Sequence, residues 1–378
     1  MKKTACDNGA VLKPGPELLE DWMRLESEAA EPAPAASPCW LPPAVVNLPA
    51  AQRPRFCMLR DAQGRPEGVV GLRISRRLGP LAPVTTTRWG EFFFSGLPLV
   101  RKSREKKVLR SILEDASTAG AGAMELATVP LEGPVARAAL RLAQEDGSTR
   151  AEIMARWKRA ALDATRDPEE WWRQDVSPGS RRKWTRLRRR MEREGKVRFY
   201  ALRPDEDPTP WLTAFLKLEA SGWKGRAGTA IACNAPLQRF VSDTVRAHAA
   251  DGRLRFWRLD MDDRPVASLF GFLAGSTLWL GKIAYDEKLA RHSPGALLMI
   301  EATRHILCDE AVTFADSSAD PDHPMIDHLW KERLEMADIL LTSPRLPTPA
   351  ARALIAAERA RRALREKAKR AWHALRRK

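Results

Sequence analysis

The feature that most constrains the fold of this chain is a repeated order of strand-like and helix-like stretches. Over residues 55–150, RFCMLRD and VVGLRISRR on either side of the turn AQGRPEG predict a β-hairpin. EFFFSGLPLV and MELATVP predict further strands, while KVLRSILEDAS and GPVARAALRLAQE have apolar residues at helical spacing. Strands followed by single helices predict a small α/β or α+β unit.

A second region after residue 197 has the same kind of pattern. VRFYALR predicts a strand, and PTPWLTAFLKLEA and PLQRFVSDTVRAHAADG predict helices. RLRFWRLDM, VASLFGFLAG and STLWLGKIAY predict an antiparallel meander, which a helix at SPGALLMIEATRHILCD and a strand at VTFADSS follow. The predicted fold class is therefore α/β (α+β): two similar halves, each a mixed, largely antiparallel sheet flanked by helices.

The domain boundaries follow from these patterns and from a length of 378 residues, which favours two domains. Residues 15–28 predict a helix with Leu18, Trp22 and Leu25 on one face. Residues 29–54 are rich in Ala and Pro and predict an extended connection rather than a core element. We therefore divide the chain into an N-terminal helix with its connection, a first half, a second half and a tail, at 1–54, 55–160, 161–342 and 343–378.

The net charge of +16 is concentrated in two segments that predict helices. Residues 178–198 hold ten Lys and Arg against two Glu, and residues 343–378 hold twelve against two, so the rest of the chain is near neutral. A basic protein suggests a polyanion partner, yet this distribution makes nucleic acid the less favoured one. The segment at 178–198 predicts a basic helix joining the halves, with either a solvated face or a contact to an acidic acceptor.

The tail also leaves two interpretations open. From Pro349 it has Leu354, Ile355 and Leu364 within an Ala/Arg-rich helix pattern. Such a helix can lie on an anionic membrane surface, to which each basic residue near the surface contributes about 1 kcal/mol. A loosely ordered appendage is the interpretation that we favour.

Several function classes lack their sequence signals. Five scattered cysteines without CxxC spacing indicate a reducing cytoplasm rather than a zinc module or a disulfide scaffold. The start MKKTACDNGAVLKPG lacks a signal peptide, and no apolar run reaches the length of a membrane helix. Walker A, GxGxxG, HExxH and GxSxG motifs are absent, and the six histidines have no metal-ligand spacing. We expect a cytoplasmic protein without a metal or a transmembrane segment.

The segment AYDEKLARHSPGALLMIEATRHI carries the strongest binding signal. Ser293 suits an N-cap and Pro294 the first helical position, so the next amides point out of the helix start unpaired. Such a helix start favours an anion. An ordinary capped helix start is the favoured interpretation on these residues alone. The candidate anion ligands lie at or just before the helix start: Arg291, Ser293, Gly295, Ala296 and Leu297.

Two other segments contain chemically useful side chains. In LEASGWKGRAGTA, Trp223, Lys224 and Arg226 stand among glycines, which suits either a flexible loop or one that closes over an anionic or planar ligand. In FADSSADPDHP, Asp316 and His323 follow a strand end, where they are candidate acid/base groups or polar caps of a turn.

Together with the basic helix SRRKWTRLRRRMEREGKVRF, these segments resemble the GNAT acyltransferase superfamily. Within it, LEASGWKGRAGTA resembles the signature of the cellulose-biosynthesis acetyltransferases, the CelD/BcsL-like branch. The resemblance covers about residues 165–335 and is only architectural over 15–150. Two GNAT-like halves in tandem are also similar to the FemAB-type aminoacyl transferases.

The resemblance implies a cofactor and roles for particular residues. GNAT enzymes bind the acyl-CoA pyrophosphate with an Arg/Gln-x-x-Gly-x-Gly/Ala turn. Arg291 takes its first position and Ala296 its last, while Pro294 replaces the middle glycine. Cofactor binding by acetyl-CoA or another acyl-CoA thereby becomes the favoured interpretation. A backbone N–H near the end of the preceding strand would stabilise the oxyanion.

The resemblance also assigns candidates for proton transfer. Glu219, Asp316 and His323 are candidates for the base that accepts the proton of the acceptor, and Tyr285 for the donor to the departing thiolate. The leading hypothesis is an acyl-CoA-dependent N- or O-acetyltransferase that acts by direct transfer on a small-molecule or saccharide acceptor of the cell envelope or an exopolysaccharide. The alternatives are a FemAB-like transferase that uses aminoacyl-tRNA, and a polyanion-binding protein without enzymatic activity. Peripheral contact with an anionic inner membrane through the tail remains a further expectation.

Overall fold

The structure is a computed structural model that describes residues 15–80, 82–90, 92–145 and 147–375, with side chains up to residue 371. Residues 1–14, on which the absence of a signal peptide was predicted, lie outside the described residues. Within the described ranges, no helix combines the length and the apolar character needed to cross a membrane.

Twelve strands and eleven α-helices are formed by the described residues. The strands are β1 (Arg55–Arg60), β2 (Pro66–Ser75), β3 (Val84–Thr86), β4 (Leu99–Val100), β5 (Ala123–Pro130), β6 (Ala151–Asp163), β7 (Val197–Ala201), β8 (Leu254–Met261), β9 (Arg264–Ala274), β10 (Thr277–Tyr285), β11 (Phe314–Asp316) and β12 (Glu332–Thr342). The helices are α1 (Pro16–Ser27), α2 (Leu41–Asn47), α3 (Glu105–Thr118), α4 (Pro134–Glu145), α5 (Pro168–Gln174), α6 (Pro178–Glu194), α7 (Thr209–Ser221), α8 (Trp223–Arg226), α9 (Ala235–Ala250), α10 (Pro294–Leu307) and α11 (Thr348–Leu375).

The chain divides into two compact units. The first contains the residues through Ala36, Pro54–Trp157 and the residues from Glu335; the second contains Ser37–Arg53 and Lys158–Leu334. The structure therefore differs from the predicted division at 54, 160 and 342, because β12 and the tail belong to the first unit. The basic helix α6 lies inside the second unit and is not a connector between two units.

The first unit is built on a mixed sheet. Its strands run in the order β1-β2-β3-β5-β12, with β4 beside β2. The pair of β3 and β5 is parallel, whereas β1–β2, β2–β3 and β5–β12 are antiparallel. The predicted hairpin is β1 and β2, and the two predicted helices are α3 and α4, which pack against each other.

The tail helix α11 is bound to the first unit by buried charges. Arg362 contacts Glu125, Asp338 and Glu358 at 2.5, 2.8 and 2.8 Å. Arg77 contacts the same two glutamates, and both glutamates are buried. Hydrogen bonds from Arg361 and Arg362 hold the pKa of Glu358 at about 2 against the opposing effect of burial. The favoured expectation of a loosely ordered appendage is therefore wrong for the first half of this helix.

The second unit is also built on a mixed sheet, in the order β6-β11-β10-β9-β8-β7. The strands β8 to β10 form the predicted antiparallel meander, β7 pairs with β8 in antiparallel orientation, and β10 pairs with β11 in parallel. The core on one side of this sheet contains Trp171, Trp184, Leu298 and Trp330. The predicted fold class is confirmed: each unit is a mixed sheet flanked by helices.

The Ala/Pro-rich segment at 29–54 is not an extended connection. It forms a 3₁₀ turn at Pro34–Ala36 and then α2. Trp40 is fully buried and its ring meets those of Phe240 and Phe272 edge to face, with centroids 5.6 and 5.3 Å apart. The prediction failed because periodicity is not readable in a seven-residue helix whose second and third residues are prolines.

Three other sequence predictions need correction. EFFFSGLPLV contributes only the two residues of β4 to a strand. The strands β6 and β12 were not predicted, because β6 has no clean alternation of buried and exposed residues and β12 ends in a continuous buried run. Cys57 is disulfide-bonded, whereas the thiols of Cys233 and Cys308 are not in a disulfide. One disulfide is not a scaffold, but it removes the cysteines as an argument for a reducing compartment.

Candidate functional site

A bulge in β10 directs a lysine toward the face of the sheet that α7 covers. The pairing between β9 and β10 shifts between Leu280 and Ile283, so Gly281 and Lys282 lie opposite the single residue Phe270. A Cβ atom at Gly281 would lie 2.6 Å from the ring of Phe270, so only glycine fits here. Bulges commonly re-aim a side chain in this way.

The lysine in this bulge reaches a buried carboxylate. Glu219 in the last turn of α7 is 3% exposed, and its Oε1 atom lies 3.0 Å from Nζ of Lys282. Its Oε2 atom accepts a hydrogen bond of 2.8 Å from the amide of Ile231. Both carboxylate oxygens are therefore bound, which is what a buried charge requires.

A second lysine contacts the same carboxylate. Nζ of Lys224, in the short helix α8, lies 3.7 Å from Oε1 of Glu219. Burial lowers the pKa of Lys224 below its ordinary value, and the charge of Glu219 opposes that effect. We call Glu219, Lys224 and Lys282 the carboxylate–lysine cluster. It can hold a charge or exchange a proton with a bound group.

The helix α8 is held close to α7 by a glycine. A Cβ atom at Gly225 would lie 1.8 Å from the carbonyl oxygen of Ala220, which no side chain permits. The segment that the sequence predicted as a possible flexible loop is therefore a tight helical turn. Trp223 at its start is 58% exposed, so its ring is accessible to a ligand.

Glu287, just after β10, also holds α8. Its Oε1 atom accepts a 2.6 Å hydrogen bond from the amide of Trp223, and its Oε2 atom lies 2.6 Å from Nη2 of Arg226. The hydrogen bond from Arg226 keeps the pKa of Glu287 below its ordinary value. Arg226, predicted to bind substrate, is thus engaged within the protein.

The start of α10 differs in detail from the sequence prediction. Ser293 takes the N-cap position in a left-handed conformation, with φ of 53°, and its side chain makes no capping hydrogen bond. The amides of Ala296 and Leu297 donate to the carbonyl of Ser293 at 3.0 and 3.1 Å. The expectation that both amides point outward unpaired is therefore wrong. Among the amides of Gly295, Ala296 and Leu297, only that of Gly295 has no hydrogen-bond partner among the described residues.

The ring of Tyr285 lies close to Gly295. A Cβ atom at Gly295 would be 3.2 Å from Cδ1 of Tyr285, so the glycine allows the end of β10 to approach the start of α10 closely. Tyr285 is 37% exposed and can therefore contact a bound molecule.

Arg291, the expected pyrophosphate ligand, is paired with an acid. Its Nη2 atom lies 2.7 Å from Oε2 of Glu194, the last residue of α6. The same oxygen lies 2.9 Å from Nε2 of His292, which is fully buried. The hydrogen bond from Arg291 keeps the pKa of Glu194 below its ordinary value. Arg291 is still 59% exposed, so an anion in solution can compete for it.

One edge of β10 opens toward the start of α10. The parallel pairing with β11 covers only three residue pairs and ends at Trp279 and Asp316, while β10 continues to Tyr285. No strand of the described ranges pairs with that edge beyond Trp279. An open strand edge offers backbone donors and acceptors to an extended ligand.

The remaining two candidates have local partners. Asp316 is buried, and its Oδ2 atom lies 3.0 Å from Nη1 of Arg159, which is also buried. Nδ1 of His323 accepts 3.4 Å hydrogen bonds from the amides of Met325 and Ile326. Neither side chain has a recorded hydrogen bond or ion pair with the carboxylate–lysine cluster in the described part of the chain.

The structure thus brings together one subset of the predicted residues. Glu219, Trp223, Lys224 and Tyr285 line one small cavity together with Glu287. Four further residues at the site were not predicted from the sequence: Lys282, Glu287, Glu194 and His292. An isolated Gly-Lys pair inside the apolar strand TLWLGKIAY was the available signal for Lys282, since glycine within a strand often marks a bulge. Over the described residues, no group of three or more His, Cys, Asp or Glu side chains is placed to hold a metal ion.

Part of the second unit matches a known family model. Residues 178–323 match the family model described as "Acetyltransferase (GNAT) domain". The chain therefore carries a GNAT-type transferase domain over that range, which contains the carboxylate–lysine cluster and the start of α10. No curated protein matches the chain by sequence.

Solved structures resemble most of the chain in fold. One is a conserved protein of unknown function from Bacteroides thetaiotaomicron, with a TM-score of 0.55, 11% identity, and coverage of 86% of this chain and 97% of that one. L-PGS from Bacillus licheniformis has a TM-score of 0.52 and 13% identity, with coverage of 91% of this chain and 96% of that one. FemX has a TM-score of 0.54 and 10% identity, with coverage of 85% of this chain and 95% of that one. At these identities the likeness shows the fold alone.

Proposed function

We propose that this chain is an acyl-CoA-dependent acyltransferase of the CelD/BcsL-like type. It transfers an acetyl group to an amine or hydroxyl of a cytoplasmic acceptor related to the cell envelope or to an exopolysaccharide. The observation that carries the proposal is the meeting of three features at the end of β10. These are an open strand edge, the amide of Gly295, which no described residue accepts from, and the carboxylate–lysine cluster.

The donor fits these features. Acyl-CoA combines a diphosphate with an extended arm that contains amide groups. The amide of Gly295 at a helix start and the guanidinium of Arg291 would hold the diphosphate. The open edge of β10 would pair with the amides of the arm. CoA supplies an acyl group activated as a thioester.

The protein contributes to the reaction mainly by holding the donor and the acceptor in position. Holding two reactants in reactive geometry can remove about 7–11 kcal/mol from a barrier. The acceptor nitrogen or oxygen attacks the thioester carbonyl carbon, and the carbon–sulfur bond breaks. A backbone N–H of β10 stabilises the negative oxygen. The acceptor's proton passes to the carboxylate–lysine cluster, with Glu219 as the base, and Tyr285 donates a proton to the departing thiolate.

Calorimetry with acetyl-CoA tests the proposal directly. We expect saturable binding of one acetyl-CoA per chain, and release of free thiol when an amine-bearing acceptor is added. Ligand binding should also raise the melting temperature with rising acetyl-CoA concentration. Absence of acetyl-CoA binding by the wild-type protein refutes the donor assignment.

A second candidate function, transfer from aminoacyl-tRNA, is favoured by a different observation. Arg182, Arg186, Arg189 and Arg193 are exposed along one face of α6, at intervals of three and four residues. None has an acidic partner in the described part of the chain. Such a row suits a phosphate backbone. Salt-sensitive tRNA binding, together with no response to acetyl-CoA, would favour this function or a non-enzymatic polyanion-binding role.

A further inference from the structure

An open groove of about 1030 Å³ lies beside the candidate site within the second unit. The outer face of α7, the start of β9 and the residues that follow β10 form its walls. Its apolar part consists of Pro210, Ala214, Leu218 and Pro265. The volume is sufficient for a molecule of the size of a sugar phosphate or larger.

Three cations in this groove form no side-chain ion pair with an acid among the described residues. Lys217, Arg264 and Lys288 all line it and are exposed. No side-chain ion pair is recorded for any of them with another described residue. Because they come from three different elements, they can surround an acidic group on a ligand.

The carboxylates in the groove fall into two kinds. Asp263 lies 3.1 Å from Arg198, and Glu287 is paired with Arg226. Asp207 and Asp286 instead accept hydrogen bonds from the backbone amides of Thr209 and Lys288. Neither forms a side-chain ion pair with another described residue, although the charge of Arg246 acts on Asp207, and Asp286 has no such cation beside it. The groove therefore offers both signs of unneutralised charge, which suits a zwitterion better than a simple anion.

The groove is next to the reacting end of the site. Leu218 and Glu287 line both the groove and the small cavity that contains Glu219 and Tyr285. The start of α10 is instead linked to α6, through Arg291 and Glu194. A molecule in the groove therefore approaches the carboxylate–lysine cluster from the α7 side.

We propose that this groove binds the acceptor, and that the acceptor is a zwitterion with an acidic group and a free amine. Lys217, Arg264 and Lys288 hold the acidic group, while the amine points toward the cavity at Glu219. This inference rests on the proposed function, since it names the acceptor class of the same site. Transfer to the amine forms an amide, so the reaction is N-acylation.

Three related sugars serve as probes in calorimetry with the full chain. Glucosamine 6-phosphate has both charges, glucosamine lacks the phosphate, and N-acetylglucosamine 6-phosphate lacks the ammonium group. We expect wild-type protein to bind glucosamine 6-phosphate at least about tenfold more tightly than either of the others, as expected for charge-assisted contacts.

Two triple variants separate the groove from overall charge. Lys217→Gln/Arg264→Gln/Lys288→Gln should bring the preference for glucosamine 6-phosphate over glucosamine to within about twofold. Arg182→Gln/Arg186→Gln/Arg189→Gln removes the same charge from exposed positions on α6 and should keep the preference. All six positions are exposed, so thermal melts should confirm that both variants fold.

Three results would overturn the inference. The first is that wild-type protein does not distinguish the three sugars, or binds none of them at millimolar concentration. The second is that the groove variant keeps the wild-type preference. The third is that the groove variant loses acetyl-CoA affinity while its sugar binding is unchanged. If the sugar preference depends on the groove but acetyl-CoA does not bind, the groove assignment stands and the proposed donor fails.

Discussion

Nζ of Lys282 and Oε1 of Glu219 are 3.0 Å apart, and this ion pair joins the bulge of β10 to the last turn of α7. Glu219 is almost completely buried, whereas Lys282 is 25% exposed. The pair therefore has two consequences: it stabilises a buried charge, and it presents a partly exposed ammonium group to the cavity beside it.

The first prediction concerns Lys282→Met. We expect the free energy of unfolding to fall by about 1–3 kcal/mol, because the buried carboxylate loses a charged partner. Urea denaturation measures this change. The double variant Lys282→Met/Glu219→Gln should recover part of the loss, because it removes the unpaired charge. A single variant as stable as wild type would contradict a stabilising role for the pair.

The same variant should separate catalysis from donor binding. If the cluster accepts the acceptor's proton, kcat should fall at least about tenfold, while calorimetry should find the acetyl-CoA affinity nearly unchanged. Lys282→Arg, which keeps a cation at the bulge, should retain more of the activity than Lys282→Met. Equal losses in both variants would argue against a role for the charge.

The second prediction concerns the tight turn at α8. Gly225→Ala places a methyl group 1.8 Å from the backbone carbonyl of Ala220, so α8 must move. We expect a loss of about 2–4 kcal/mol in the free energy of unfolding. Gly179→Ala is the matched control, because nothing lies within 4 Å of a Cβ atom there. An alanine at 179 should leave stability unchanged or slightly higher, since the position is helical.

The third prediction concerns competition for Arg291. Glu194→Gln removes the carboxylate that now pairs with Arg291, and acetyl-CoA affinity should rise several-fold in calorimetry. Arg291→Ala should raise the KM for acyl-CoA about tenfold and leave the KM for the acceptor much less affected. Arg182→Ala is the control, because Arg182 is also exposed on the second unit. Unchanged CoA affinity in Arg291→Ala would remove this residue from the donor site.

The fourth prediction concerns acid stability. Complete burial lowers the pKa of His248 to about 3, against an ordinary value of 6.5. Below pH 6.5 the unfolded chain binds a proton that the folded chain does not, so stability falls as the pH decreases toward 3. The expected slope is about 1.4 kcal/mol per pH unit.

The variant His248→Phe should reduce that slope. A phenyl ring preserves the packing against Phe272, whose centroid is 4.5 Å from the imidazole, but it cannot titrate. It also loses the hydrogen bond to the carbonyl of Thr244, so its stability at neutral pH should be lower. Urea unfolding between pH 4 and 8, with the exposed His328→Phe as control, measures both effects. If His248→Phe keeps the wild-type slope of unfolding free energy against pH, His248 is not the group that causes the acid sensitivity.

The sequence predicted the elements with clear periodicity. The meander of the second unit and the helix that begins at Pro294 both contain long runs with one dominant period. The resemblance carried by LEASGWKGRAGTA also predicted Glu219 as a site residue, and the structure places its carboxylate beside Lys224 and Lys282.

The sequence could not show which residues far apart in the chain form ion pairs with each other. The sequence makes Asp316 a base candidate, but it does not show that Arg159, 157 positions earlier, binds its carboxylate. Likewise, Glu194 and Arg291 are 97 residues apart, so their ion pair is invisible in the sequence. Whether a charged residue is available for chemistry depends on these partners, which only the fold determines.

The buried contacts of the tail helix bear on the order in which the protein folds during synthesis. β12 and α11 belong to the first unit, but the ribosome makes them after all strands of the second unit. Until they emerge, Glu125 lacks Arg362, and the edge of β5 lacks its antiparallel partner. The second unit can therefore complete its fold first. The first unit is the earlier to begin synthesis but the later to complete its fold. During that interval the unpaired edge of β5 is open to pairing with other chains, which is how unpaired strand edges promote aggregation.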